Sequence, residues 1–533
     1  MLLSRLTLKA MSITWKLFTV LTLILLPGRA FAAGNKATHI VLVVWDGMRP
    51  DFVTAANTPN LVRLAGQGVE FKKHHSVYPC TTEVNATALA TGVYPGQSGI
   101  VGNKEFRPAI NPADKVFVEQ LEVVRKGDSV SGGRYLLFPT AAETLHSRGL
   151  RTVIAGAKDV VLLQDRAARR ADALGVTVFA GQGLPEERLE ALTHTLGRFP
   201  AQTNTGLARD LWTTRALVGP LWEKGVPALS VLWLSEPDLS QHDTGPGSPA
   251  SLAAIRHSDD ALGRVLAALD EKGLRAQTDV IVVSDHGFST IDQTVDLADA
   301  LKGAGFHAYR SVPAGGARES DVMVVGNSSS VFLYVKGHQT NDVEKVVHFL
   351  QAQPYCGVVL TQQPVDGAFR LRDLRLDAPS APDIIVALRW RRDPSKYGAP
   401  GLDYTDSSKY GPGQGIHGTL SPYEMHNTCV AAGPDFRVGF KDDLPTGNID
   451  VAPTVLWLLG VAPQRQPAGR VLREALVESG TAKPVCETHR LEASCPGDGF
   501  TWRQYVNYSE VNGVLYFDEG NGEQAPPRVV GGS

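Results

Sequence analysis

The sequence predicts an α/β fold: a mostly parallel central sheet with helices on both faces, an inserted small α/β element and a C-terminal extension. The apolar run His39 to Trp45 and the β-branched run within Thr278 to Val283 show no alternation and so read as strands buried on both faces, the kind found in parallel sheets. Helical patterns lie between such runs, as right-handed β-α-β crossovers require. Both runs end abruptly in polar residues, Asp46 and Asp285-His286, at the carboxyl edge where open α/β sheets build their sites.

A chain of 533 residues exceeds one ordinary core. We expect one large domain over residues 37–465 with a subdomain inserted at about 310–400, then a small β-rich extension over 484–533. At the N-terminus, Arg5, Lys9 and Lys16 precede the apolar run from Leu17 to Leu26, and Ala30-Phe31-Ala32 supplies small residues for cleavage. Residues 1–32 therefore read as a secretory signal peptide, with an uncleaved anchor as the alternative, and the protein as exported, periplasmic or secreted. Their removal takes away Arg5, Lys9, Lys16 and Arg29 and no acid, moving the formal charge from −3 to −7. A moderately acidic exported protein is a poor holder of polyanions by charge, which argues against a nucleic-acid polymer as partner. No other apolar stretch is long enough to span a bilayer. Of the five cysteines, Cys486 and Cys495 sit close together in a loop-like segment and suggest a disulfide, while Cys429 reads as a buried thiol.

Taken in order, the strand His39 to Trp45 delivers Asp46, and Thr58-Pro59 opens a helix that stops at Gly66, with Thr58 as cap. Next, Tyr78-Pro79-Cys80-Thr81-Thr82 turns into an alanine-rich helix ending at Gly92. Thr82 stands at its start, where a hydroxyl is commonly an N-cap. It is also placed to act as a nucleophile on a phosphate seated over the free N–H groups, provided a metal lowers its pKa. Asn103 follows as an amide that could donate to a phosphate oxygen. Thr140 and Glu143 form a capping box, and the strand from Thr152 leads to Lys158, either solvated or facing an anionic substrate. A helix over 205–224 and a strand over 228–234 precede Asp238 and His242, whose spacing puts both on one face of a helical turn. An amphipathic helix over 251–273 feeds the strand ending in Asp285-His286. Strands at 330–335 and 358–361 flanking a helix at 341–351 suggest the inserted β-α-β element. Residues 397–414 read as a surface loop bordering the site and lead to His417, a histidine between glycines with little packing reason to be there.

Collected, Asp46, Thr82, Asp238, His242, Asp285, His286 and His417 offer mixed oxygen and nitrogen donors that suit zinc, with manganese or iron as alternatives. Two such ions about 4 Å apart are a standard device for phosphoryl transfer.

In order and spacing, Val44-Trp45-Asp46-Gly47, Tyr78-Pro79-x-x-Thr82-x-x-Asn85, Glu236-Pro237-Asp238-x-x-x-His242-x-x-Gly245-Pro246, Ser284-Asp285-His286-Gly287 and His417-Gly418 resemble the alkaline phosphatase superfamily, nearest its nucleotide pyrophosphatase/phosphodiesterase branch. The resemblance runs from about Thr38 to Pro463. It implies one zinc held by Asp238, His242 and His417, a second held by Asp46, Asp285 and His286, Thr82 as covalent nucleophile, and Asn103 as a phosphate contact. The implied substrate is a small phosphate ester. Where the phosphodiesterase branch places two aromatics that sandwich a base, this chain has Glu83 and Asp243-Thr244, and Glu83 would repel a further phosphate. Gly156-Ala157-Lys158-Asp159 resembles a lysine segment of phosphonoacetate hydrolases of the same superfamily. Phosphodiester hydrolysis is therefore the leading expectation. A phosphonate or phosphate monoester hydrolase is the second, and a catalytically silent binding protein the third.

Overall fold

The computed structural model describes residues 36–166, 174–406, 408–478 and 484–526. The signal-peptide reading at 1–32 lies outside these residues. Its core is a nine-stranded sheet in the order Phe440–Gly447, Val69–His75, Cys429–Ala432, Thr278–Val283, His39–Trp45, Leu229–Leu234, Thr152–Gly156, Gly175–Phe179, Gln182–Leu184. The five strands from Thr278–Val283 to Gly175–Phe179 run parallel to their neighbours, and only Cys429–Ala432 and Gln182–Leu184 pair antiparallel.

Burial explains the unbroken apolar runs. Along His39–Trp45, Ile40, Leu42 and Val44 face one helical layer while Val41, Val43 and Trp45 face the other, so period-2 alternation has no polar side to mark. One layer contains the helices Thr82–Thr91 and Val451–Leu458. The other contains Leu207–Val218 and the long helix Pro249–Glu271, whose Ser248 hydroxyl caps the Ser251 N–H and whose Ile255, Leu262, Val265 and Leu269 are buried. The Thr140–Glu143 capping box is present with both reciprocal bonds.

Several local expectations give way to specific contacts. The helix read over 205–224 stops at Val218, because Gly219 leaves helical geometry and Pro220 starts a separate short turn. Thr58 precedes its helix but does not cap it, since its hydroxyl donates to the Thr54 carbonyl instead. Within 397–414, Pro400–Thr405 is a strand paired with Ser289–Thr294 and Trp390–Pro394, formed despite its glycine and proline because both neighbours supply ladder partners.

Ser330–Val335 and Cys356–Thr361, joined by the helix Thr340–Gln351, belong to a six-stranded sheet but are not neighbours: Ile384–Leu388 lies between them, antiparallel to both. The chain closes in an antiparallel meander, Cys486–Pro496, Thr501–Val511 and Val514–Ala525. It packs into three separate cores through Tyr516, Trp502 and Phe517. The expected Cys486–Cys495 disulfide is ruled out by this strand. Both thiols are free and stand nine positions apart on one extended segment, roughly 30 Å at strand rise against the ~7 Å limit for a bridge. No helix among the described residues is long and apolar enough to cross a membrane.

Candidate active site

Four adjacent parallel strands end at one edge, and each delivers polar residues there. In sheet order they bring Asp285 and His286, then Asp46, then the helix Asp238–Thr244 with Asp238 and His242, then Lys158. Neighbouring strands lie about 4.8 Å apart, so these groups meet without any unusual loop. His417 reaches the same point from the end of the short strand Gly415–Ile416, which pairs with Ser289–Thr294, and Thr82 enters at the start of the helix Thr82–Thr91. The position of Thr82 is held by Asn85. Its amide nitrogen donates to the Val77, Pro79 and Thr81 carbonyls and its oxygen accepts from the Val77 N–H.

The three histidines are oriented alike. Nδ1 of His242, His286 and His417 bonds to the carbonyls of Gly415, Gly287 and Cys80 at 2.9, 2.9 and 2.7 Å. A carbonyl only accepts, so each Nδ1 carries the proton and each Nε2 points a lone pair inward. Facing them, Asp46 Oδ1, Asp238 Oδ1 and Asp285 Oδ2 are buried carboxylate oxygens without a hydrogen-bond partner. His286 Nε2 stands 3.6 Å from Asp46 Oδ1 and 3.2 Å from Asp285 Oδ2, while Asp238 Oδ1 is 3.3 Å from His242 Nε2 and 3.6 Å from His417 Nε2. Two compact donor groups result, Asp46/Asp285/His286 and Asp238/His286/His417, with His286 common to both and His242 beside the second. Unpartnered buried acceptors of this kind, with imidazoles fixed by carbonyls behind them, are what divalent ions require.

Lys158 is not solvated. Its ammonium bonds Asp46 Oδ2 at 2.9 Å and Asp238 Oδ2 at 2.7 Å, one carboxylate from each group, leaving both Oδ1 atoms free to face the histidines. Burial, then the charge of Asp285, raises Asp46 to about 7, and burial raises Asp285 to about 7 as well, in both cases against Lys158. Burial opposes the charge of Asp238 too, yet Lys158 and His242 hold it well below the usual carboxylate range. Burial lowers His286 and, together with the neighbouring His286 and His242, lowers His417, keeping both rings neutral as ligands must be.

The Thr82 hydroxyl is 3.2 Å from His286 Nε2 and caps nothing. Beside it, the Glu83 N–H donates to Asn103 Oδ1 at 3.2 Å, which leaves the Asn103 NH₂ group as donor. The Glu83 carboxyl is buried, with Oε2 unpartnered. Burial and then Glu119 push it well above the ordinary carboxyl range, and Glu119 itself is raised by burial to about 7.

Sequence reasoning did not find Glu119, Trp233 or Tyr410. Trp233 donates its indole N–H to Asp46 Oδ2 at 2.9 Å, but it lies in a fully buried strand where nothing separates an indole that serves Asp46 from one that fills the core. Tyr410 stacks on His242 at 4.5 Å and 6°, and the only signal for it was the tyrosine content of the 397–414 stretch. A cavity of about 780 Å³ between Phe106, Tyr135 and Tyr334 contains none of these groups.

Gly287 is required by space, not by dihedral. A Cβ there would collide with the Tyr423 carbonyl oxygen and lie 2.7 Å from that of His426. Gly287→Ala is expected to lose at least about 2 kcal/mol of stability, read as a lowered urea midpoint. An unchanged midpoint would show that the 421–427 segment yields freely.

The type I phosphodiesterase / nucleotide pyrophosphatase family model matches residues 40–412. Mouse ectonucleotide pyrophosphatase/phosphodiesterase family member 3 is 22% identical over 88% of this chain and 47% of its own length, so the chain spans about half of that relative. The bis(5'-adenosyl)-triphosphatase of Xenopus laevis is 22% identical over 81% of this chain and 80% of its own. Among solved structures, an inactive variant of murine ectonucleotide pyrophosphatase/phosphodiesterase 5 in complex with AMP matches with TM-score 0.59 at 18% identity, covering 82% of this chain and 99% of that one. At that identity the likeness is one of fold, and it is to an alkaline phosphatase-like α/β architecture.

Proposed function

The chain belongs to the type I phosphodiesterase / nucleotide pyrophosphatase family, and from that premise we propose that it is an exported, bimetal hydrolase of small phosphodiesters with Thr82 as covalent nucleophile. The observation that carries this reading is the placement of the Thr82 hydroxyl 3.2 Å from the one imidazole common to both donor groups. Export rests on the character of residues 1–32.

Two divalent ions, zinc by the chemistry of the donors, would be held by Asp46, Asp285 and His286 and by Asp238, His242 and His417, where they would lower the pKa of the Thr82 hydroxyl and neutralise phosphoryl oxygens. Thr82 Oγ1 forms the new bond to phosphorus as the ester P–O bond breaks and the leaving alcohol takes up a proton. Water then attacks the phosphothreonine, freeing a phosphate monoester and restoring the hydroxyl. Asn103 positions a phosphoryl oxygen through its NH₂ group, and Asn85 keeps the turn below Thr82 from shifting. Glu83 offers no stacking face beside the nucleophile, which favours a compact diester over one recognised through a sandwiched base. The test is kcat/KM for bis-p-nitrophenyl phosphate against p-nitrophenyl phosphate with zinc-loaded protein. Preference for the diester is expected, and preference for the monoester overturns the reading.

A second reading, a phosphate monoester or phosphonate hydrolase, is favoured by Lys158, whose ammonium lies between the two donor groups and could meet the extra charge of a monoester. If it does, Lys158→Met will cut monoester kcat/KM at least about tenfold more than diester kcat/KM. Equal losses on both esters would assign Lys158 to holding Asp46 and Asp238 alone.

A further inference from the structure

A third group of ligand-type side chains stands apart from this site. His75 ends the strand Val69–His75, His426 follows the helical turn Pro422–Met425, and Asp518 lies in the last strand of the C-terminal sheet. Their ligand atoms fall within 4.8 Å of one another. Asp518 Oδ1 is 3.0 Å from His75 Nε2 and 3.9 Å from His426 Nε2, and the two rings are 4.4 Å apart between centroids. Tetrahedral zinc with bonds of 2.0–2.1 Å separates its donors by roughly 3.3 Å, a value between these two distances.

The surroundings aim the three groups at a common point. His75 Nδ1 bonds the Thr446 carbonyl at 2.9 Å, which fixes the ring with Nε2 turned toward Asp518 Oδ1 at 3.0 Å. Asp518 Oδ2 accepts from the Ser509 hydroxyl at 3.0 Å, which fixes the carboxylate with Oδ1 turned toward both imidazoles. Outer-layer bonds of this kind orient metal ligands. On the outer side His426 and Asp518, but not the buried His75, border a cavity of about 470 Å³ shared with Pro422, Thr488 and Asn507, leaving room for a water as fourth ligand.

We propose that His75, His426 and Asp518 form a divalent-metal site of the zinc class, separate from the Thr82 site, that ties the C-terminal sheet to both catalytic loops. His75 and His426 are already joined by a β-bridge. Seven residues after His75 comes Thr82. The 421–427 segment accepts the Gly287 and Phe288 N–H groups through Glu424 and Tyr423, next to Asp285 and His286. Asp518 contributes the one ligand from the C-terminal sheet, so an ion here would fasten that sheet to the two segments that set the catalytic geometry.

The experiment measures zinc per chain, by elemental mass spectrometry, in full-length mature protein loaded with zinc and desalted. His426→Gln and Asp518→Asn are each expected to bind one equivalent fewer than wild type, while His489→Gln, on the wall of the same cavity but outside the converging trio, binds the wild-type amount. Because the readout is a difference, it holds whatever the number of ions at the Thr82 site. His426 is part-exposed, so its substitution decides the matter should Asp518→Asn not fold. Equal zinc in wild type, His426→Gln and Asp518→Asn overturns the proposal, as does a one-equivalent loss in His489→Gln alone.

Discussion

Thr82→Ala is expected to lower kcat for bis-p-nitrophenyl phosphate by at least about 10³-fold while leaving the melting temperature and zinc content close to wild type. The two halves of this expectation separate chemistry from scaffolding. A threonine at a helix start normally stabilises by capping, and its loss then costs about 1 kcal/mol. Here the N-cap position belongs to Thr81, neither Thr81 nor Thr82 makes a side-chain cap, and the Thr82 hydroxyl touches His286 Nε2. Alanine keeps helix propensity and removes the hydroxyl and one methyl from a buried but polar position, so the fold has little to lose. Thr82→Ser should keep measurable turnover, since it keeps the hydroxyl. If Thr82→Ala instead retains a tenth of wild-type kcat, no covalent step passes through this residue.

The strand-end residues were legible because they interrupt patterns. Asp46 and Asp285-His286 follow the apolar runs Ile40 to Trp45 and Val280 to Val283, and a polar residue there has no packing explanation. The Asp238–His242 spacing was legible because the helical period places positions four apart on one face, and a helix does span them. Trp233 was not legible: in a strand buried on both faces an indole serving Asp46 and an indole filling core look the same. Lys158 had two open readings because its carboxylate partners lie 112 and 80 positions away and meet it only through sheet order. The C-terminal segment misled for a related reason. Its polar composition suits both a cysteine-bounded loop and an exposed strand, and strand rise alone then separates Cys486 from Cys495. The trio of His75, His426 and Asp518 shares this limit, since only tertiary packing makes neighbours of residues drawn from distant strands and turns.

Removing metal should cost more stability near neutral pH than in acid, and the carboxyls of the site give the sign. Asp46 and Asp285 are raised on folding from 3.8 to about 7 when no cation is present, chiefly by burial. A carboxyl raised in this way keeps its proton in the native state across an interval where the unfolded chain has lost it. The native state then binds more protons, so the stability of metal-free protein falls as pH climbs from about 4 to about 7 and levels off above that. Divalent ions favour the carboxylate form and cancel the penalty where it is largest. A rise of that size corresponds to about 4 kcal/mol per carboxyl, an upper limit for the pair because the charge of Asp285 is part of what raises Asp46, so the first proton leaves at less than full cost. The gap in melting temperature between zinc-loaded and chelated protein should therefore widen by up to about 5 °C from pH 5 to pH 7.5 and close again when zinc is restored. Asp285→Asn removes one of the two carboxyls and should flatten the metal-free profile. A gap independent of pH would mean that the two carboxyls do not face the ions, and the assignment of Asp46 and Asp285 as ligands would fail with it.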